Sequence, residues 1–312
     1  MSVRPIVIVP VDESPDTEAT VEYAASVARA RAADLHAIQV VPREGGLWVA
    51  PRNEMRLRAR LRAMRPSVER DGVSLRIVTL RGAPESAIAG YAHLRAAVLT
   101  VVDRHYGSSR LWRSTSVTSR LSRLSPIPVL VVSRRMSNRA EFSVRRIVAA
   151  VDFTVASAVS LRKAVELARK HGASMTMLHA IQPLRHMVLT GSEAWRVMTA
   201  LHADTRVIAG RLKKEARAFG ARDAESLVVT GDAHRGIARA VAATAADLVV
   251  MGVAPRRPIE EMVFGSTMRA VLRRARVPVL VLPVVDGARD WISKRNDASN
   301  LSLAEAFAGR AA

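Results

Sequence analysis

The sequence predicts an α/β protein made of two tandem domains, each a doubly wound parallel sheet with helices on both faces. Three observations carry this reading. The chain has 312 residues, enough for two domains of about 100–150 residues each. Blocks of the first half return in the second: Ile6–Asp12 as Ile147–Asp152, and Leu35-His36-Ala37-Ile38-Gln39 letter for letter as Leu178-His179-Ala180-Ile181-Gln182. Arg81-Gly82-Ala83 likewise returns as Thr230-Gly231-Asp232, and Ile127–Val132 as Val277–Leu282. The offset drifts through 140, 143, 149 and 150, so length changes are expected in loops between matched blocks. Short β-branched runs alternate with helical patterns, which implies parallel strands joined by right-handed crossovers.

Taken in order, Pro5–Val11 reads as a buried strand, apolar and short. Ser14-Pro15-Asp16 turns into a helix near Glu18–Ala33, with Val21, Ala24 and Ala28 on one face. Leu35–Val41 is the second strand, and Glu44-Gly45-Gly46 loops into an arginine-rich helix near Asn53–Met64. Val73–Leu80 is the third strand, and Pro84 suits the first turn of a short helix. Ala97–Val102, a helix near Ser116–Leu124 and Pro128–Val132 complete the first copy. The second copy repeats the order, with strands near Ile147–Val151, Met175–Ile181, Ser226–Thr230, Leu248–Met251 and Pro278–Leu282. A long helix, about Ser192–Phe219, closes at Gly220. Domains are expected at 1–135 and 144–285. Polar, aperiodic Arg134–Ser143 forms the linker, and 286–312 is a tail.

Composition narrows the function classes. At 49% apolar and 24% charged residues, the chain reads as soluble and globular. The lack of cysteine excludes disulfides, thiolate metal sites and cysteine catalysis. Asp12 arrives before any long apolar run, against a secretory signal, and no stretch approaches the roughly 18 apolar residues of a membrane span. A cytoplasmic location is the default. The net charge of +20 invites a polyanion. Yet residues 1–140 and 141–285 each carry 22 basic and 12 acidic residues, so no tail or domain concentrates the charge. Five phenylalanines and three tyrosines offer few base-stacking platforms. Weak, salt-sensitive attachment to polyanions is expected, without specific nucleic-acid recognition.

The strongest constellation follows the fourth strand of the second copy. That strand ends at Gly252, Pro255 stands three residues on, and nine residues then separate Pro255 from Gly265-Ser266-Thr267 at the start of a helix. Glycines at a strand's carboxyl end let backbone N–H groups approach phosphate oxygens, and a helix N-terminus adds its dipole and a hydroxyl. Turn and cap glycines would look the same. Asp152 ends the first strand, where it could equally serve as an N-cap. His36 and His179 each sit alone on an apolar strand, the usual setting of a structural histidine, and no histidine cluster has metal spacing. No nucleophile elbow, kinase signature or complete P-loop is present, and no lysine lies near Gly265.

These blocks resemble the universal stress protein family in tandem form, over about residues 4–133 and 145–284. The resemblance rests on the strand ending in Val11-Asp12 or Val151-Asp152, the Leu-His-Ala-Ile strand, Gly82 or Gly231, the glycine segment after strand four and the final Pro-Val-Leu-Val strand. It implies a flavodoxin-like or adenine-nucleotide-hydrolase-like fold with strand order 3-2-1-4-5. Nucleotide-binding members carry Gly, two residues, Gly, nine residues, then Gly-Ser or Gly-Thr. Gly252, Gly265 and Ser266 match that spacing, with Thr267 following, but Pro255 replaces the second glycine and donates no N–H.

The resemblance further assigns Ala150, Val151, Asp152, Ala180 and Ile181 to the base pocket. It implies ATP or another adenine nucleotide, with or without Mg, in a regulatory protein of stress or dormancy. In the first copy Asp103 stands opposite Gly252, Tyr106 takes the second glycine position, and Thr115-Ser116 replaces Gly265-Ser266; the phosphate motif there reads as lost. A scaffold without nucleotide and a slow ATPase remain alternatives, and no residue pattern names a protein partner. Single-domain relatives pair through the last strand, so Val129–Val132 is expected to pair antiparallel with Val279–Leu282 inside one chain.

Overall fold

The structure, a computed structural model, describes residues 4–41, 43–44, 47–48, 51–70, 72–107, 117–133, 142–181, 191–253 and 266–284. The first half contains β1 (Ile6–Val11), α1 (Thr17–Arg29), β2 (Asp34–Val41), β3 (Arg43–Glu44), β4 (Leu47–Trp48), α2 (Pro51–Glu69), β5 (Leu75–Arg81), α3 (Pro84–Leu94), β6 (Leu99–Asp103), α4 (Val117–Leu124) and β7 (Val129–Val132). The second contains β8 (Arg146–Ala150), α5 (Val155–His171), β9 (Ser174–Ile181), α6 (Gly191–Ala218), β10 (Glu225–Thr230), α7 (Ala233–Thr244), β11 (Leu248–Val253), α8 (Ser266–Arg274) and β12 (Val279–Pro283).

Ten strands form one sheet in the order β10-β9-β8-β11-β12-β7-β6-β1-β2-β5, so each half runs 3-2-1-4-5 in its own numbering. Neighbours within each half are parallel. At the centre β12 and β7 pair antiparallel, with Val279 opposite Val131, Leu280 opposite Leu130 and Val281 opposite Val129. Leu130 and Leu280 are equivalent residues, so a local twofold axis passes through their pair. This junction covers two apolar strands that would otherwise be open edges.

Because the sheet is continuous, each helical layer is continuous too. On one face Val21, Leu57 and Leu61 of the first half share a core with Leu161, Leu212 and Ala216 of the second. On the other, Ile88, Tyr91 and Leu121 share a core with Ile237, Val271 and Leu272. Gly82 and Gly231 carry the repeat's turn out of strand three, at φ 127° and 112°, where a side chain would strain the backbone.

Several expectations are corrected. The letter-for-letter repeat of strand two is out of register. Val7 pairs with Leu35 and its equivalent Ile147 pairs with Met175, so the structural offset there is 140 and not 143. His179 therefore stands where Gln39 does, and His36 corresponds to Thr176. A shift of three residues reverses the face: Leu35 packs in the α1–α2 layer, Leu178 in the opposite one. The five matched letters therefore do not occupy equivalent positions in the two sheets.

The principal length change lies in a helix, not a loop. The helix after strand two has 19 residues in α2 and 28 in α6. The fully buried anchors Leu61 and Leu212 stand ten and 21 residues after the respective helix starts. Eleven residues are about three turns, which keeps the apolar face in phase. Finally, α1 stops at Arg29 rather than Ala33, while α2 runs past Pro66 to Glu69, bringing Val68 into the core. A short β3–β4 pair also occupies the segment read as a plain loop around Glu44.

Candidate functional site

In both halves strands one and four are neighbours whose crossovers leave in opposite directions, the place where doubly wound sheets leave a crevice at the strands' carboxyl ends. In the second half this crevice lies at the ends of β8 and β11. Ala150 ends β8 half-buried, and buried Val151 donates its N–H to the Leu178 carbonyl at 2.8 Å. Asp152 is exposed and does not cap α5. Its Oδ1 accepts the Thr154 N–H at 3.0 Å and the Thr154 hydroxyl, and Thr154 is the N-cap, accepting from the Ser157 N–H at 3.3 Å. The aspartate thus braces the capping residue from two positions before it and is not itself the N-cap.

Phe153 between them has φ 60°, an uncommon conformation for a bulky residue and a form of strain that favours functional turns. Its ring lies over His179 with centroids 4.7 Å apart, and the Arg211 guanidinium from α6 sits 4.1 Å from the Phe153 centroid. His179 Nδ1 is 2.8 Å from the Val151 carbonyl. A carbonyl only accepts, so Nδ1 carries the proton, and in the neutral ring Nε2 is left as an acceptor. Ala180 and Ile181 end β9 half-buried, and Ile181 shares its face with His179. Phe153, His179 and Arg211 were absent from the expected site. The sequence marks His179 only as a lone histidine on an apolar strand and Phe153 only by its place directly after Asp152; nothing in it brings Arg211 there.

Gly252 is needed for packing. A Cβ at this position would lie 2.0 Å from the Ala156 carbonyl oxygen and 2.3 Å from its carbon, because the first turn of α5 rests on the end of β11. Ser266 opens α8 and Thr267 is half-buried in its first turn. Pro255 and Gly265 lie outside the described residues.

The equivalent corner of the first half is closed on itself. Asp12 Oδ1 accepts the Ser14 N–H at 3.0 Å and the Thr17 hydroxyl at 3.4 Å, while Oδ2 accepts the Gly107 N–H at 3.0 Å from the loop after β6. Asp103, in the place of Gly252, is buried; Oδ1 accepts the His105 N–H at 2.6 Å, and Oδ2 has no hydrogen-bond partner among the described residues. Burial raises the Asp103 carboxyl above the ordinary range; Asp16 and Asp12 add to this, and the His105 N–H and charge oppose it. Tyr106 is buried beside them, and burial pushes its phenol up. His36 packs inward, its Nδ1 2.9 Å from the Tyr91 hydroxyl, and burial lowers its pKa. Among the described residues no group of three His, Cys, Asp or Glu could hold a metal, and no helix is long and apolar enough to cross a membrane.

Comparison with known proteins agrees with this architecture. A universal stress protein from Archaeoglobus fulgidus DSM 4304 superposes with a TM-score of 0.65 at 18% identity, over 90% of this chain and 97% of its own. A functionally unknown protein from Pseudomonas aeruginosa PAO1 superposes with a TM-score of 0.61 at 18% identity, over 96% and 98%. A universal stress protein solved in complex with cAMP aligns at 24% identity over 43% of this chain and 99% of its own, with a TM-score of 0.34. No curated protein matches the sequence. The profile of the universal stress protein family matches twice, over residues 4–133 and 143–283, and the chain belongs to that family as a tandem, two-domain member.

Proposed function

We propose that this chain is a regulatory stress protein that binds one adenine nucleotide, in its second domain only, without strong catalysis. The domains are taken as 1–135 and 144–285, with 286–312 as a tail. The observation that carries the reading is the contrast between the two corners. In the first, carboxylates already hold the amides that would face an anion: Asp12 the Gly107 N–H and Asp103 the His105 N–H. A phosphate there would meet like charge. In the second, the position at the end of strand four is Gly252 and carries no carboxylate, and the N-terminus of α8, which opens at Ser266-Thr267, brings a dipole favourable to an anion. Ala150, Val151, Asp152, Ala180 and Ile181 line the base end. The strained Phe153 and the acceptor Nε2 of His179 stand beside them, and Nε2 suits the exocyclic amine of adenine. Gly252 itself serves the α5 contact, which moves the weight of phosphate binding to Gly265, Ser266 and Thr267.

The test is calorimetric titration with ATP, ADP, AMP and cyclic AMP, with and without Mg. One site per chain is expected, lost in Gly265→Asp and unchanged in Thr115→Ala. A stoichiometry of two, or binding that survives Gly265→Asp, overturns the assignment to the second domain. If none of the four nucleotides binds, the protein acts as a scaffold through its surfaces.

A further inference from the structure

Helix α2 carries six arginines among 19 residues. They do not share one role. Arg60 turns toward α1 and binds both carboxylate oxygens of Glu18 through Nε and Nη2. Arg58, Arg62 and Arg65, at i, i+4 and i+7, form a stripe on another side of the helix, spanning about 10 Å. That stripe lines a cleft of about 430 Å³ between α2 and β5, where Arg76 projects from the last strand of the sheet and Ser74 and Leu75 form part of the wall. Arg62, Arg65 and Arg76 are exposed and Arg58 is half-buried. Arg65 lies 3.8 Å from Glu69; Arg58, Arg62 and Arg76 make no ion pair or hydrogen bond with any described residue.

We propose that this cleft is an anion site for a compact polyphosphate, gripped by Arg58, Arg62, Arg65 and Arg76. Four guanidinium-bearing side chains lining one cleft repel one another, and among the described residues only Arg65 has an ion-pair partner, Glu69, whereas each guanidinium presents a planar fork suited to two phosphate oxygens. A concave surface lined by one sign of charge focuses the field on a small anion. Edge protection alone does not account for the cluster. One charged residue discourages strand pairing, and Glu225 occupies that role on β10 at the opposite edge of the sheet. Glu225 is also the register equivalent of Arg76: His36 faces Arg76, and its counterpart Thr176 faces Glu225, with a 3.3 Å hydrogen bond between the side chains. The second domain thus puts a carboxylate where the first has an arginine. Charge that is equal by count in the two domains is unequal by place. Among the described residues no aromatic side chain lines the cleft, which favours a small phosphate chain over the stacked bases of a nucleic-acid strand.

Full-length protein is titrated at low salt with inorganic tripolyphosphate. One saturable site per chain is expected, weakening as salt is added. The double variant R62S/R76S should lose roughly tenfold or more in affinity, through two charge-assisted contacts. The control R222S/R239S, which removes the same charge from exposed positions of the second domain, should change it by less than about twofold. All four positions are exposed, and matched thermal midpoints check that both variants fold. The nucleotide loop after β11 is intact in every protein used, so a loss confined to R62S/R76S cannot come from that loop, and the result stands or falls apart from nucleotide binding. Equal weakening in both doubles, or no saturable binding, overturns the proposal. A short single-stranded oligonucleotide that binds more tightly than tripolyphosphate with the same dependence on Arg62 and Arg76 overturns it in favour of a nucleic-acid groove.

Discussion

Asp103 shows how much one residue separates the two domains. It stands where the second domain has a glycine, fills the corner with a buried carboxyl and leaves one oxygen without a partner among the described residues. Its pKa is raised in the folded chain, so between the ordinary and the raised value the folded state binds more protons than the unfolded one. Stability on this account is intact below the ordinary carboxylate range, falls as pH rises through the window, and stays lower above it. Asp103→Asn should therefore raise the thermal midpoint around pH 7 by about 2–4 °C, roughly 1 kcal/mol for a chain of this class, with the gain shrinking toward about pH 4. A gain of equal size at both pH values would remove the carboxyl from the account. Gly252 responds in the opposite sense. A methyl group there meets the backbone of Ala156, which cannot rotate away as a side chain could, so Gly252→Ala should cost about 1–3 kcal/mol by displacing α5. Denaturant melts of the two proteins measure it. Pro255 bears on affinity instead. Restoring a glycine N–H in Pro255→Gly returns one charge-assisted hydrogen bond, about 1.5–3 kcal/mol or ten- to a hundredfold tighter ATP, with a smaller gain for AMP. Unchanged ATP affinity would mean that the loop does not hold the outer phosphates.

Between elements, the contact with the clearest consequence is Arg104. It leaves the first domain just after β6, and its Nη1 donates to the Arg273 carbonyl at 2.8 Å and the Ala275 carbonyl at 3.2 Å, at the C-terminal end of α8 in the other domain. A cation on the last carbonyls of a helix complements its dipole. Arg104→Leu should cost about 1 kcal/mol and speed amide exchange in α8 while leaving α1 unaffected. The equivalent position in the second domain is Val253, so Arg104 has no counterpart by position. Nothing in the sequence near residue 104 points to this contact, because 169 residues separate Arg104 from Arg273. Strands and helices themselves were legible: β-branched runs such as Ile6–Val11 can bury both faces only as central strands, and the apolar face Leu57–Leu61–Met64 admits little else. Register was not. In strand two the two copies share apolar character but not side-chain identity by position, so an exact pentapeptide repeat pointed three residues away from the true pairing. The candidate site was half legible for a related reason. Asp152 and Gly252 stand out in the chain, but the partners that define their work, Thr154 and the backbone of Ala156, depend on where α5 begins, and helix starts are poorly fixed by pattern alone.

At the scale of the molecule, the junction of β7 and β12 turns two five-stranded halves into one sheet with two remaining edges, β5 and β10. Both helical layers pack across that sheet, so the halves share their cores as well as their backbone hydrogen bonds. Charge is not what joins them: the strands at the junction, Val129–Val132 and Val279–Pro283, are apolar, and all but Pro283 are buried. With a net charge of +20 spread over both halves, a random DNA duplex should bind weakly, with affinity falling steeply between low and physiological salt. A preference for one sequence that persists at physiological salt would show a reading element the fold does not display. The junction itself makes the stronger forecast. Leu280 is 3% exposed and pairs with Leu130 on the local axis, so Leu280→Lys places an ammonium where no carboxylate can answer it. Relaxation around such a charge still costs several kcal/mol, more than a single turn or cap contributes. Since each half keeps its own five strands and helices, the cheapest escape is to part the two halves and let the lysine reach water. Wild-type protein should unfold in one calorimetric transition and Leu280→Lys in two, with protease cleavage between β7 and β8 accelerated. A single transition merely shifted to lower temperature would show that neither half holds its fold without the other, and that the ten-stranded sheet is the cooperative unit.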